Sequence, residues 1–457
     1  MQSKRLGIDV FQKFNLMTEA FLQYIWQHRL LEGPLTTVDG LPVVVERPGE
    51  HNRDAGPDFF DARMTVDGIR WAGNVEVHIN ASDWHLHHHN DDPNYHNVIL
   101  HVVYCYDADI RLPDGRILPT MELRRHIPQG VWDRYDQLMH PADGETIACA
   151  SRIADIPDFL IHAANERLAA ERLERKVGEA QHLLDETRGD WDEACYRLMA
   201  RSFGGKVNAL PFELLAKTTP LSLLAKIKHR PLSVEALFFG QSGLLEDEFA
   251  DDYPLSLQRE YAYLRASYRL QPMPGHLWKF FRLYPASFPT LRISQFANLL
   301  LHTDNLFSKM LDGANVDTLR QLFCCETDPY WMNHYLFDQL APSRPKRLGR
   351  SVVDRILINA WVPLLFAYGK LHDSDQHKEQ ALSLLQQLPA ERNRIVDRWT
   401  DLGLQPDNAA QSQSLIQRYN EYCQRHRCLD CNLAFRLLKT EGGSGQGRLS
   451  GRKPPSP

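Results

Sequence analysis

The chain contains 457 residues, which is enough for two or more domains and a substantial core. Its 43% hydrophobic and 24% charged residues are ordinary for a globular protein, and its net charge of −6 excludes a surface that binds nucleic acid throughout, while allowing a local basic cleft. The most apolar stretch, Ile356 to Tyr368, is too short to span a bilayer and contains Asn359 and Pro363, and the N-terminal residues lack a secretory pattern. We therefore expect a cytoplasmic protein without a membrane segment.

The first predicted domain covers residues 17–150 and follows an extension over residues 1–16. Thr18 is a suitable cap for its first helix. The predicted elements, in chain order, are a helix over 17–31, strands over 34–47, 58–66 and 69–80, a short helix over 91–97 and a strand over 98–106. This order predicts a compact α/β core.

Two strand-like runs are separated by Asp67-Gly68, which is a strong signal for a hairpin. Because successive side chains of a strand point to opposite faces, Glu76 and His78 are expected on one face of the second strand. Asp58, at the start of the partner strand, is expected to meet them there. Carboxylate oxygens arranged in this way favour magnesium or manganese.

Pro57-Asp58 and Glu76-x-His78 resemble the motifs of the PD-(D/E)xK nuclease superfamily, with His78 where that superfamily usually has lysine. The resemblance is confined to the N-terminal domain. It implies a mixed sheet, a magnesium or manganese ion held by Asp58 and Glu76, and cleavage of phosphodiester bonds. It also implies that His78 takes the place of the lysine, where a neutral imidazole can accept a proton from water.

The same resemblance implies roles for positions on two helices. Tyr95, on the short helix, takes the place of a residue that lines the active site, and either Glu19 or Glu32 of the first helix adds an acidic group. The wider sequence, including residues 73–78 and 98–103, resembles an uncharacterised bacterial family known as domain of unknown function 2851. This second resemblance implies no mechanism.

Residues 82–101 hold the densest group of histidines and carboxylates in the chain. Such groups can bind zinc, manganese or iron, although the spacing matches no closed zinc motif. We expect His85 and His87 to share a strand face and to be the first candidates for metal ligands beside His78. The alternative is an exposed loop whose polar residues cap the next helix.

The sequence changes to helical patterns near residue 155, which predicts a helical domain over residues 151–440. Its predicted helices cover 191–203, 219–228, 254–270, 293–310, 330–340, 350–362, 376–388 and 413–438. Residues 441–457 are rich in Gly, Ser and Pro and predict a disordered tail. The fold class is therefore α+β, with an N-terminal α/β nuclease-like core and a mostly α-helical C-terminal domain.

Two groups of basic residues are candidates for contact with nucleic acid. They are the pair Arg124 and Arg125, and the run Arg344, Lys346, Arg347 and Arg350. The alternative for each group is a solvated surface. Aromatic and basic residues are also interleaved around Trp278 and Arg282, a composition that can stack on single-stranded bases but more often forms core.

Three cysteines lie close together near the C-terminal end: Cys423, Cys428 and Cys431. Their spacing suits zinc with His426 as a further ligand, or an iron–sulfur cluster with Cys324 or Cys325 as the fourth ligand. The arrangement resembles nucleases of the same superfamily that bind an iron–sulfur cluster through C-terminal cysteines. Buried structural thiols are the alternative.

Three functional hypotheses follow. The first is a metal-dependent phosphodiesterase that acts on DNA or RNA through Asp58, Glu76, His78 and Tyr95. The second is a catalytically inactive binding module, which the replacement of lysine by His78 and the acidic net charge both favour. The third is a zinc or iron hydrolase that uses histidines between His85 and His96. Metal content and metal-dependent cleavage distinguish the three.

Overall fold

The computed structural model describes residues 17–141, 146–313, 315–324 and 326–439. The described chain forms two compact units. The sheet unit consists of the described residues of Met1–Ala164 and Tyr419–Pro457, and the helical unit is Asn165–Arg418. This division differs from the predicted one, because the chain returns to the sheet unit after residue 418. The predicted extension and tail lie outside the described residues.

Within the described residues, the sheet unit contains one mixed six-stranded sheet. Its strands are β1 (Val43–Arg47), β2 (Glu50–His51), β3 (Phe59–Val66), β4 (Ile69–Asn80), β5 (Val98–Cys105) and β6 (Thr120–Glu122). The order is β1-β3-β4-β5-β6, and β2 pairs with β3. β3 is antiparallel to β1 and β4, whereas β4, β5 and β6 are parallel to one another. The predicted mixed sheet is therefore confirmed.

Strands β3 and β4 form the predicted hairpin. Its loop residues, Asp67 and Gly68, have φ of 48° and 77°. A two-residue hairpin with left-handed φ at both positions is the turn that Asp-Gly favours. The resulting register places Phe59 opposite Val75. Asp58, which precedes Phe59, is therefore brought next to Glu76, which follows Val75.

Strand β4 approaches the parallel strand β5 very closely at Gly73. A Cβ atom at this position would lie 2.5 Å from Cγ2 of Ile99 and 2.6 Å from the backbone oxygen of Asn97. The next amide, of Asn74, donates to that same oxygen at 2.8 Å. The absence of a side chain at Gly73 therefore allows the parallel pairing that positions the second half of β4.

Helices make up most of the remaining structure. In chain order they are α1 (Glu19–His28), α2 (Asp83–Leu86), α3 (Gln129–Met139), α4 (Asp158–Glu186), α5 (Trp191–Phe203), α6 (Ala209–Thr218), α7 (Leu221–Ile227), α8 (Pro231–Gln241), α9 (Asp252–Tyr268), α10 (Pro289–His302), α11 (Leu306–Leu311), α12 (Val316–Leu322), α13 (Arg350–Ile356), α14 (Val362–Leu371), α15 (Asp375–Gln387), α16 (Arg394–Asp401), α17 (Ala409–Arg418) and α18 (Asn432–Lys439). The predicted α+β class is confirmed.

Helix α18 packs within the sheet unit, although it is the last described helix of the chain. The ring of Phe435 lies 4.5 Å from the ring of His28 on α1, and Nε of Arg134 on α3 donates to the backbone oxygen of Leu438 at 3.0 Å. Leu437 and Leu438 are buried. The C-terminal segment therefore completes the core of the sheet unit.

The predicted helices depart from the structure in three places. The helix predicted over 293–310 is divided into α10 and α11, and the helix predicted over 413–438 is divided into α17 and α18. Residues 330–340 were expected to form a helix, but a short 3-10 turn, Pro329–Met332, is followed by strands β7 (His334–Leu336) and β8 (Gln339–Leu340). The turn between these strands contains Asp338 with φ 56°, a left-handed conformation that ends any helix. The prediction for this segment is wrong.

One segment of the helical unit, Arg350–Leu371, is long and apolar enough to cross a membrane by length and composition alone. It consists of α13, a π-helical turn and α14. Its most apolar window is 78% buried inside the structure, and Trp361 and Leu365 are fully enclosed. This burial is typical of a core helix.

Candidate metal centre

Two parts of the sheet unit supply the side chains of the candidate site. Glu76 and His78 lie on the same face of β4, and both are buried. His87 and His89 follow α2. Between them His88 has φ 58°, and this left-handed residue turns the chain so that His89 is buried while His88 stays exposed.

Three ligand atoms of this site form a nearly equilateral triangle. Oε1 of Glu76 lies 3.4 Å from Nε2 of His78 and 3.2 Å from Nε2 of His89, and the two nitrogens are 3.3 Å apart. Ligand atoms in a tetrahedral site with metal–nitrogen bonds of 2.0–2.1 Å are about 3.3 Å apart. The metal triangle, Glu76, His78 and His89, therefore has the dimensions of one face of such a site.

His87 lies at the exposed edge of the metal triangle. Its Nδ1 is 3.1 Å from Nε2 of His78, and one nitrogen from each of His78, His87 and His89 lies within 4.8 Å of the other two. In the described chain these three histidines are the group of residues that could hold a metal ion by this measure. An exposed fourth donor is compatible with a site that remains accessible from solvent.

The chemistry of these donors fits a cation better than a hydrogen-bond network. Nε2 of His78 carries at most one hydrogen, yet it has heteroatoms of Glu76, His87 and His89 within 3.4 Å. Its other nitrogen, Nδ1, lies 2.9 Å from Nε2 of His101. A proton on Nδ1 leaves the Nε2 lone pair free for a metal, as in most metal-binding histidines.

Aromatic contacts fix the imidazole planes around the site. The ring of His89 stacks on Tyr95, with centroids 3.8 Å apart and an angle of 20°. Trp84 contacts His89 and His101 edge-on at 5.2 Å and 5.4 Å. Nδ1 of His101 is buried without a hydrogen-bond partner among the described residues. Tyr95, predicted to line the site, therefore acts on it through its ring contact with His89.

Asp58 lies directly beside Glu76, as predicted. Its backbone N–H donates to Oε2 of Glu76 at 3.0 Å. Its own carboxylate accepts two hydrogen bonds, from Nε2 of Gln23 at 2.8 Å and from the amide of Val77 at 3.0 Å. This backbone contact places Asp58 next to Glu76, while a metal shared between their carboxylates stays a prediction.

The electrostatics of the site also indicate a place for a cation. Burial, and then the charge of Glu76, raises the pKa of Asp58 to about 7. Burial, together with the nearby Glu19, raises the pKa of Glu76 to about 8. Burial lowers the pKa of His78 to about 2, so this imidazole stays neutral. Glu19, at the start of α1, interacts electrostatically with both carboxylates, whereas Glu32 lies beyond the end of that helix. A direct role for Glu19 in the site stays a prediction.

The structure places one predicted histidine ligand, His85, away from the site, and it adds a candidate ligand, His89, that the sequence did not single out. His85 was expected to share a strand face with His87, but it lies on helix α2 and is exposed, so that premise is wrong. His89 belongs to the predicted histidine group without having been preferred. Tyr95, six residues after His89, was the sequence feature that could have indicated a buried His89. Only the tertiary structure shows that its ring stacks on His89.

The C-terminal cysteines lie in the sheet unit. Cys428 is buried, and Cys423 and Cys431 are half-buried. Burial raises the pKa of Cys428 to about 11, which disfavours the thiolate that a metal requires. In the described chain these thiols do not form a metal-binding group like that of the histidines. Zinc or an iron–sulfur cluster here stays a prediction; Cys325 lies outside the described residues.

The predicted nucleic-acid contacts occupy different environments. Arg124, Arg125, Arg344 and Arg350 are exposed, and Arg347 pairs with Glu326. Lys346 is buried, and its Nζ donates to the backbone oxygens of Trp331 and Met332 at 2.9 Å and 2.8 Å. A phosphate contact by Lys346 is therefore contradicted, because its ammonium group is already satisfied inside the helical unit.

The fold and the site together define an α+β protein with a candidate metal centre of imidazole and carboxylate donors. Residues 19–394 match a family described as a protein of unknown function, DUF2851, and the chain belongs to that family. No curated protein and no solved structure matches the chain.

Proposed function

We propose that this protein is a metal-dependent hydrolase that cleaves phosphodiester bonds of nucleic acid. The observation that carries the proposal is the metal triangle of Glu76, His78 and His89, whose ligand atoms are 3.2–3.4 Å apart. Two imidazoles with one carboxylate favour zinc, manganese or iron over magnesium. When bound, such an ion would polarise a phosphoryl oxygen and activate a water molecule.

Asp58 is the acid–base candidate beside the metal triangle. Its hydrogen bonds from Gln23 and from the amide of Val77 fix the carboxylate. Each oxygen retains a lone pair that can accept a proton. The amide of Asp58 also orients Glu76, so this residue both positions one donor and can hold a proton next to it.

The choice of a phosphodiester substrate is supported by the arrangement of the motifs. Asp58 precedes β3, and Glu76-x-His78 lies on the neighbouring strand β4, which is the arrangement implied by the resemblance to PD-(D/E)xK nucleases. In this proposal His78 is a metal ligand rather than a replacement for the superfamily's lysine, because it is buried and its Nε2 faces a carboxylate and the imidazoles of His87 and His89.

The test compares cleavage by the wild type, Glu76→Gln and Asp58→Asn. Single- and double-stranded DNA and RNA are incubated with chelator-treated protein reloaded with manganese, zinc, ferrous iron or magnesium. We expect cleavage by the wild type with one of the first three metals, and a loss of at least about 100-fold in both variants. The control is Glu50→Gln, which changes an exposed carboxylate of the same unit and should retain activity.

Two outcomes would contradict the proposal. Full activity of Glu76→Gln would remove the metal triangle from the mechanism. A wild type that binds metal but cleaves none of the four substrates would assign the fold to the inactive binding module, since the metal would then have a structural role.

A further inference from the structure

The helical unit contains a long segment without any acidic residue. No aspartate or glutamate occurs between Glu260 and Asp304, although the chain has 58 acidic and 52 basic residues. This acid-free segment, residues 261–303, contains Arg265, Arg269, Lys279, Arg282 and Arg292. In a protein with net charge −6, such a segment is a local concentration of positive charge.

Exposed aromatic side chains are concentrated in the same segment. Phe281 and Tyr284 are 82% and 85% exposed, and Tyr263 is 61% exposed. Single exposed rings are common on protein surfaces, but several exposed rings on one short segment indicate a candidate contact surface. By contrast, Trp278 and Arg292, which the sequence also singled out, are buried and belong to the core.

The most exposed rings lie in the aromatic loop, residues 279–284, whose start is anchored by hydrogen bonds. The side chain of Asn208 accepts a hydrogen bond from the amide of Lys279 and donates one to its backbone oxygen, both at 2.9 Å. Nε1 of Trp278 donates to the backbone oxygen of Ser242 at 2.9 Å. Ordering of a loop that leaves its rings in solvent is expected for a preformed binding surface.

The basic residues of the aromatic loop have no acidic partner among the described residues. The guanidinium of Arg282 lies 5.1 Å from the ring of Phe281, and neither Lys279 nor Arg282 forms a salt bridge with any residue in the described ranges. On the same acid-free segment, Arg265 and Arg269 line an open cavity of about 840 Å³, together with Glu246 from outside the segment. These charges are available to an anionic partner.

We propose that the acid-free segment binds single-stranded nucleic acid, with Phe281 and Tyr284 stacking on bases and Lys279 and Arg282 contacting phosphates. Single-strand binding proteins combine these two features, because every base has a stacking face and every linkage carries a negative charge. A membrane surface would instead favour an amphipathic helix with separate apolar and basic faces. The aromatic loop is not helical, and its basic residues Lys279 and Arg282 lie among its aromatic residues in the sequence.

This inference rests on the proposed function only for the choice of nucleic acid as the polyanion. The experiment is therefore done on the full chain with EDTA present, so that binding is measured without cleavage. Fluorescence anisotropy follows labelled oligo-dT and oligo-U, the corresponding duplexes, and phosphatidylserine vesicles. The wild type is compared with Phe281→Ala, Tyr284→Ala and Arg282→Glu.

We expect the single strands to bind more tightly than the duplexes, in a manner that weakens as salt rises. Each aromatic variant should weaken binding by about 5- to 100-fold, and Arg282→Glu should also reduce the salt dependence. The controls are Phe159→Ala and Arg167→Glu, which change exposed residues outside the acid-free segment and should leave the affinity unchanged.

Three results would overturn the inference: no binding of single strands, binding that the three variants leave unchanged, or binding of vesicles without binding of oligonucleotides. Because these variants keep the metal triangle, cleavage assays on them report separately on the proposed function. A protein that binds single strands but never cleaves them would retain this inference and lose the hydrolase.

Discussion

His89 reaches the metal triangle because a neighbouring residue adopts an unusual backbone conformation. His88, with φ 58°, is in the left-handed region, which costs a residue with a side chain roughly 1–2 kcal/mol. The ring of His89 then lies between two others, stacked on His78 at 5.2 Å and on Tyr95 at 3.8 Å. The left-handed conformation of His88 makes both ring contacts of His89 possible.

The faces of single residues on β4 could be predicted from the sequence, whereas the loop ligands could not. Alternation along a strand places Glu76 and His78 together whatever the rest of the fold does. The position of His89 depends on the φ of His88 and on a ring six residues later, and neither leaves a periodic signal. Sequence reasoning therefore predicted two of the three members of the metal triangle, Glu76 and His78, from strand alternation, and included the third, His89, only as a member of a polar group.

The first prediction separates a ligand role for His78 from a role as base. In His78→Lys, the ammonium group cannot coordinate, so metal affinity should fall at least about 100-fold, as much as in His78→Ala. Isothermal titration of chelator-treated protein with manganese or zinc measures this directly. If the lysine variant kept its metal and gained cleavage, His78 would be a base, and the superfamily motif would have been restored.

The second prediction concerns the stability of the metal-free protein. Burial raises the pKa of Asp58 to about 7 and that of Glu76 to about 8, so the folded state binds more protons than the unfolded chain until pH exceeds these values. These extra protons raise the free energy of unfolding at low pH, and this contribution is lost as pH rises. Burial lowers the pKa of His78 to about 2 and that of His101 to about 3, which gives the opposite trend, but only below the unfolded value of about 6.5.

Above pH 6.5 the carboxylates therefore dominate, and the urea midpoint of metal-free protein should fall between pH 6.5 and 8.5. Glu76→Gln removes one of the two carboxylates and should make this fall shallower. A wild-type midpoint that is constant or rises over this range would contradict the assigned protonation of the site.

At the scale of elements, the pairing of β4 with β5 depends on Gly73. In Gly73→Ala the added methyl would meet Ile99 and the backbone of Asn97 at 2.5–2.6 Å, and relief of such overpacking costs about 1–3 kcal/mol. The matched control is Gly178→Ala in α4, where no atom lies within 4 Å and alanine should stabilise by up to about 1 kcal/mol. Chemical denaturation gives both values; equal effects would show that the strand contact is unimportant.

Elements with a strong periodic pattern were predictable, and those determined by turns were less so. The strand predicted over 69–80 is β4, and the helix predicted over 191–203 is α5. The strand predicted over 34–47 is reduced to β1, because Gly40, with φ 83°, turns the chain and Thr36 bridges Pro42. The helix predicted over 330–340 was wrong for a similar reason. Aromatic residues at helical spacing suggested a helix, whereas Asp338 forms a turn.

At the scale of the whole molecule, the return of the chain to the sheet unit could not be predicted. It depends on contacts across hundreds of residues, such as that between Arg134 and Leu438, and no local pattern encodes them. The overall α+β class could be predicted from hydrophobic patterns, because alternating patterns precede residue 155 and helical patterns follow it.

This topology gives a prediction about unfolding. Leu437 and Leu365 are both fully buried, in the sheet unit and the helical unit respectively, and their replacement by alanine should cost about 2–5 kcal/mol each. In calorimetry, Leu437→Ala should lower the same transition that a chelator lowers, whereas Leu365→Ala should lower the transition that is insensitive to metal. If Leu437→Ala left the metal-sensitive transition unchanged, residues 419–439 would not belong to the unit that carries the metal triangle.

The most direct test of the central claim is metal content by elemental analysis after dialysis against a weak chelator. It compares the wild type with His89→Ala, which removes a buried member of the metal triangle, and with His85→Ala, which removes an exposed histidine of the same region. We predict one zinc, manganese or iron ion per chain in the wild type and in His85→Ala, and a loss of that ion in His89→Ala. Equal metal content in all three proteins, or none in the wild type after reloading, would contradict the account.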